Sequence, residues 1–163
     1  ESEGDYMDIV VTRRLKPSDV LAQLQDVLPR DFRAFEAWEE PLKAKALMDA
    51  AAGFAYTLFA TAAPPDLGET IARVLAAERL DAARGGEPTQ GRAKPKRVVN
   101  IRPMLYAIEL SANESGQAVV DVEIRKVEGR SVRIRELLDL LGLDPATTRV
   151  LKRATHLNID TDL

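Results

Sequence analysis

The residues best placed to do chemistry lie in one loop, Arg84-Gly85-Gly86-Glu87-Pro88-Thr89-Gln90-Gly91-Arg92-Ala93-Lys94-Pro95-Lys96-Arg97. Five cations against the single anion Glu87 make this stretch +4 within a chain of net charge −3. It runs straight into the apolar Val98-Val99-Asn100-Ile101 and then Arg102-Pro103. A cationic loop that feeds a strand suits a polyanion, and RNA is the first candidate. The competing reading is a solvated linker kept soluble by its charge. A second cationic set, Arg149, Lys152 and Arg153, crowds one strand near the C-terminus. Like charges this close repel, so they await either an anionic ligand or carboxylates such as Asp144, Asp160 or Asp162. Arg102, locked before Pro103, suits a phosphate or a carboxylate at the edge of the core.

Catalytic chemistry is poorly represented. The chain has no cysteine, which excludes disulfides, thiolate nucleophiles, zinc–thiolate sites and cysteine-held iron–sulfur clusters. The single histidine, His156, has no nucleophile signature beside it and reads as structural or exposed. Gly85-Gly86 is not followed by Gly-Lys-Ser/Thr, so no phosphate-cradling loop is formed. We expect no catalytic residue, no metal and no cofactor in this chain. Tyr6, Trp38, Tyr56 and Phe59 could stack on bases, but their alternation with core positions favours packing. The string that marks an ordinary RNA-recognition motif is missing.

Charge is unevenly placed. Residues 1–79 carry 9 Lys/Arg and 14 Asp/Glu, whereas residues 80–163 carry 14 and 12. A polyanion surface therefore belongs to the second half. The apolar fraction of 45% and charged fraction of 30% suit a soluble globular protein. No apolar run approaches the ~20 residues of a membrane span, so no membrane partner and a cytoplasmic location are expected.

The elements that must position these residues follow from periodicity. Tyr6–Thr12 alternates, with Met7, Ile9 and Val11 on one face, and reads as a strand. Pro17 opens a helix whose stripe is Val20, Leu21, Leu24, Val27 and Leu28, ended by Pro29. Aromatic-rich Phe32–Trp38 reads as a second strand, 42–52 as a short helix and Phe54–Ala60 as a third strand. Asp66 and Glu69 have capping-box spacing before the stripe Leu67, Ile71, Val74 and Leu75. Arg97–Ile101 supplies a fourth strand. The order β-α-β-β-α-β predicts an α+β fold, with a ferredoxin-like antiparallel sheet and two helices over residues 5–101. A smaller strand–helix–strand extension follows over 102–160, with 84–96 as the linker. Its parts are a helical turn at Met104–Ile108, a brief strand at Glu109–Ser111, strands at Val119–Arg125 and Thr148–Leu157, and a helix through Ile134, Leu137, Leu138 and Leu141, closed by Gly142.

Several strings, taken in order, resemble a known family. They are Glu1-Ser-Glu-Gly-Asp-Tyr-Met-Asp-Ile, Leu28-Pro29, Leu47-Met48-Asp49-Ala50-Ala51, Val99-Asn100-Ile101-Arg102-Pro103, the helix within Val132–Leu143, and Arg149-Val-Leu-Lys-Arg153-Ala-Thr155. Together they resemble the radical-SAM-linked protein family, a bacterial domain of unknown function found beside or fused to a cobalamin-binding radical-SAM protein. The resemblance implies such a protein as partner. Family members usually begin with Arg-Phe-x-Ser-His-x-Asp-like and Gly-Phe-x-Pro-x-Pro-like strings. Neither occurs here, so the chain is expected to be the C-terminal portion of a longer protein. Asn100 stands where the family usually has Asp. The function expected is a non-catalytic accessory domain that binds RNA through Arg92, Lys94, Lys96, Arg97, Arg102, Arg149, Lys152 and Arg153 and presents substrate to the radical-SAM partner. The alternative is a protein-docking module with no nucleic-acid role.

Overall fold

The computed structural model describes residues 1–44, 46–85, 88–89, 92–93, 97–112 and 117–158. Its elements are α1 (Pro17–Val27), α2 (Leu47–Ala50), β1 (Ala51–Ala60), α3 (Leu67–Ala76), β2 (Asp81–Arg84), β3 (Pro88–Thr89), β4 (Arg92–Ala93), β5 (Arg97–Asn100), a 3-10 turn (Arg102–Met104), β6 (Leu105–Ala112), β7 (Ala118–Arg125), α4 (Ile134–Leu141) and β8 (Thr148–Leu157). The chain divides into two compact units, Glu1–Tyr6 with Met48–Leu163, and Met7–Leu47.

The larger unit is α+β. Its sheet runs β6-β7-β1-β8 with every neighbouring pair antiparallel. Register sorts the side chains by face, because neighbours along a strand point opposite ways. Leu58 pairs with Val120, and Phe54 with Ile124. Leu58, Val120, Val122 and Ile124 are buried in one core with Leu67, Ile71 and Val74 of α3 and Leu137, Leu138 and Leu141 of α4. Burying each Leu or Ile side chain contributes about 1.5–3 kcal/mol. On the opposite face Thr57 meets Asp121, Ala55 meets Glu123 and Phe59 meets Val119.

Helix α4 begins with the Glu136 carboxylate accepting the Arg133 N–H at 2.9 Å. It stops at Gly142, whose φ of +67° lies in the left-handed region that favours glycine. The next amide, Leu143, donates back to Leu138 O at 2.9 Å, and Leu143 is itself buried. Helix α3 lacks the expected capping box: Asp66 makes no side-chain cap and instead faces Arg73, 3.8 Å away.

Four expectations need correction. Tyr6–Thr12 and Phe32–Trp38 are not strands. Alternation marks which side of a segment is apolar but cannot supply a neighbouring strand, and among the described residues these segments pair with none. The ferredoxin-like order over 5–101 is therefore not the order of this sheet, which takes β1 from that stretch and three strands from 102–160. The segment from 105 onward, expected as a helical turn and a brief strand, is the eight-residue β6, drawn out by pairing with β7. Where it is described, the expected linker 84–96 pairs as strands: β2 and β5 pair Asp81 with Asn100 and Arg84 with Arg97, and β3 pairs with β4.

The smaller unit, 7–47, holds α1 with turns and irregular chain on either side among its described residues. Gln25 of α1 pins that chain: its Nε2 donates to Phe32 O at 3.3 Å and its Oε1 accepts the Ala34 N–H at 3.0 Å. None of the described residues of this unit is buried.

Candidate functional site

Strand β8 is an edge strand, and its cations are already engaged. The first residues lie along it, with one parallel bridge at Ser2 and a bend at Glu3–Gly4. Ser2 bridges Lys152, the Glu3 N–H donates to Lys152 O at 2.8 Å, and the Lys152 N–H donates to Glu1 O at 3.0 Å. The Thr155 hydroxyl donates to Gly4 O at 3.0 Å. Each cation then meets one carboxylate: Arg149 with Glu1 at 3.2 Å, Arg153 with Glu3 at 3.3 Å, and Lys152 with Asp5 at 2.5 Å. The Lys152 hydrogen bond holds the Asp5 carboxyl below its usual range; partial burial opposes this and the Ser2 side chain assists. Arg149 also lies 4.4 Å above the Phe59 ring. The partners expected from sequence were different. Asp144 instead accepts the Ala146 N–H at 2.9 Å, and Asp160 and Asp162 lie outside the described residues.

Arg102 is directed at backbone carbonyls. Its guanidinium donates to Leu75 O at 2.7 Å and Leu105 O at 2.9 Å. A cation on a carbonyl in the last turn of α3 complements the helix dipole. Its buried Nε has no partner. Arg102 opens the 3-10 turn that leads into β6, the edge opposite β8, so the sheet order separates it from Arg149, Lys152 and Arg153.

The basic stretch 84–97 is described in part. Within it, Pro88 pairs with Ala93 and Thr89 with Arg92. Arg97 is exposed; Lys94 and Lys96, and the side chain of Arg92, lie outside the described residues. Arg84 is consumed by the fold. It makes two 2.7 Å hydrogen bonds to the Glu136 carboxylate and one of 2.7 Å to Ser131 O. Sequence reasoning missed this pair, because 52 residues separate its members.

Two further features stand out. The sheet face away from the helices carries Thr57, Asp121 and Glu123, with Thr57 bonded to Asp121 and His156 to Glu123 at 3.0 Å. Among the described residues no group of three or more His, Asp or Glu side chains is arranged to hold a metal ion, and no helix is long and apolar enough to cross a membrane. The unit 7–47 presents Val10, Val27, Phe32, Phe35 and Leu42 to solvent, Phe35 at 73% and Leu42 at 93% exposure. Beside them a shallow groove of about 410 Å³ is lined by Leu21, Gln25, Phe32 and Ala34 among others.

These features describe an α+β domain with a cationic edge already paired and an apolar segment exposed in residues 7–47. The chain belongs to a family described as uncharacterized proteins conserved in bacteria (DUF2344), whose model matches residues 1–134. No curated protein and no solved structure matches the chain. The matched stretch includes the acidic residues 1–5 and the unit 7–47 but ends before β8.

Proposed function

We propose that this chain is a non-catalytic accessory domain that docks a protein partner through residues 7–47. The observation that carries the reading is the exposure of Val10, Val27, Phe32, Phe35 and Leu42 in a unit with no buried described residue. Large apolar side chains that a chain leaves this exposed suit a contact site. A unit this small has no core of its own to justify so many large side chains. The strings shared with the radical-SAM-linked family make a cobalamin-binding radical-SAM protein the proposed partner.

The RNA-binding reading stays as the second, supported by the exposed Arg97 and the basic residues of the stretch 84–97. It loses support at β8, where three of its cations already face carboxylates, and at Arg102, which serves backbone carbonyls.

The test is co-purification of the full chain with a cobalamin-binding radical-SAM protein, before and after nuclease. Docking predicts nuclease-resistant association. It also predicts at least about tenfold weaker binding when Phe32, Phe35 and Leu42 are all changed to Ser, since large apolar anchors dominate interface energy. Association lost on nuclease treatment, or unaffected by the triple change, overturns it.

A further inference from the structure

We propose that the free edge of β8 is a recognition site for an extended acidic peptide, and that residues 1–5 occupy it as an internal mimic. This surface is distinct from residues 7–47 and does not rest on the docking reading.

The geometry is that of strand addition, in which main-chain hydrogen bonds supply affinity and side chains supply specificity. Residues 1–5 exchange backbone bonds with Lys152 in both directions. Their carboxylates fall on alternate positions, Glu1, Glu3 and Asp5, and each takes one cation. A bend at Glu3–Gly4 lies between the Ser2 bridge and Asp5, which meets Lys152. Nucleic acid has no backbone amide to donate to Lys152 O.

Gly4 adds a size requirement. A Cβ there would lie 2.7 Å from Arg153 O and 2.8 Å from Ala154 Cα. The site therefore reads acid, any residue, acid, glycine, acid. The carboxylates of Glu1, Glu3 and Asp5 are all more than half exposed, and ion pairs this open to water are weak and salt-sensitive. Such an occupant covers an edge that would otherwise pair with other chains, yet it can be displaced.

The probe is an acetylated, fluorescein-labelled peptide Glu-Ser-Glu-Gly-Asp-Tyr, followed by fluorescence anisotropy. The full chain carrying Glu1→Lys, Glu3→Lys and Asp5→Lys should bind it at least tenfold more tightly than the unchanged chain. Gly4→Val, which ejects the segment without altering charge, should open the site in the same way. Adding Arg149→Glu and Arg153→Glu should abolish binding, and a peptide with Val for Gly should fail. In the unchanged chain, saturating peptide should speed hydrogen exchange at the Glu3 amide. Equal binding by closed and opened chains, no binding by folded opened chains, or unchanged exchange at Glu3 overturns the proposal. Preference of the opened chain for a single-stranded RNA of equal charge also overturns it and gives the edge to nucleic acid.

Discussion

Arg84 and Glu136 form a two-pronged ion pair that ties the end of β2, where the basic stretch begins, to the first turn of α4. Their side chains are only 14% and 13% exposed, and both bonds measure 2.7 Å. Paired geometry of this kind is stronger than a single contact. Burial pushes the Glu136 carboxyl upward, but the Arg84 bonds and the Arg133 N–H outweigh it, so the group sits below its ordinary value. A carboxylate held low stabilises the fold once ionised. Its contribution is complete above the ordinary value of 4.5 and disappears as pH falls below it, through the depressed folded value.

Glu136→Gln should therefore cost about 3 kcal/mol near neutral pH, because it leaves the Arg84 charge largely buried and unmatched. The gap between variant and parent should close progressively as the pH drops below 4.5. Urea denaturation across a pH series measures both. A gap that is constant with pH would show that the pair is not the source.

Arg102→Lys keeps the charge but removes the planar fork that spans Leu75 O and Leu105 O. We expect a loss of about 2 kcal/mol, since each hydrogen bond from a charged group contributes roughly 1.5–3 kcal/mol. An arginine kept only to attract phosphate would tolerate the change. The denaturation midpoint separates the two roles.

Leu58 and Leu42 mark opposite extremes, at 0% and 93% exposure. Leu58→Ala should cost about 3 kcal/mol by opening a cavity beneath the helices. Leu42→Ala should change the stability of the isolated chain by no more than about 0.5 kcal/mol. Its cost should surface only as weakened binding of the partner, read by titration calorimetry on the same preparation.

Reversing Lys94, Lys96 and Arg97 to Glu should leave the melting temperature and partner binding unchanged under the docking reading. A filter-binding assay with single-stranded RNA checks the rival. Parent affinity falling by about 0.7 log units per phosphate contact per decade of salt, and lost in the triple variant, would move the function to RNA.

Much of this architecture is written locally. The stripes Leu67, Ile71 and Val74, and Leu137, Leu138 and Leu141, place α3 and α4 without reference to the rest of the chain, and Gly142 marks where α4 must end. Val120, Val122 and Ile124 announce β7 by alternation, and Thr148–Leu157 is legible as β8 for its full length. The α+β class follows from these elements alone. Which strands pair does not. Tyr6–Thr12 alternates as well as β7 does yet pairs with no strand among the described residues, while β6 looks ambiguous until β7 lies beside it. The candidate site divides in the same way. Its cations are visible in the sequence, but whether each is available depends on a carboxylate or carbonyl brought from far along the chain. Glu1 reaches Arg149 across 148 residues, and Glu136 reaches Arg84 across 52. Periodicity reports what a segment would bury, because that is a property of neighbouring residues. Hydrogen-bond and ion-pair partners are properties of distances, and only the folded chain brings those groups together.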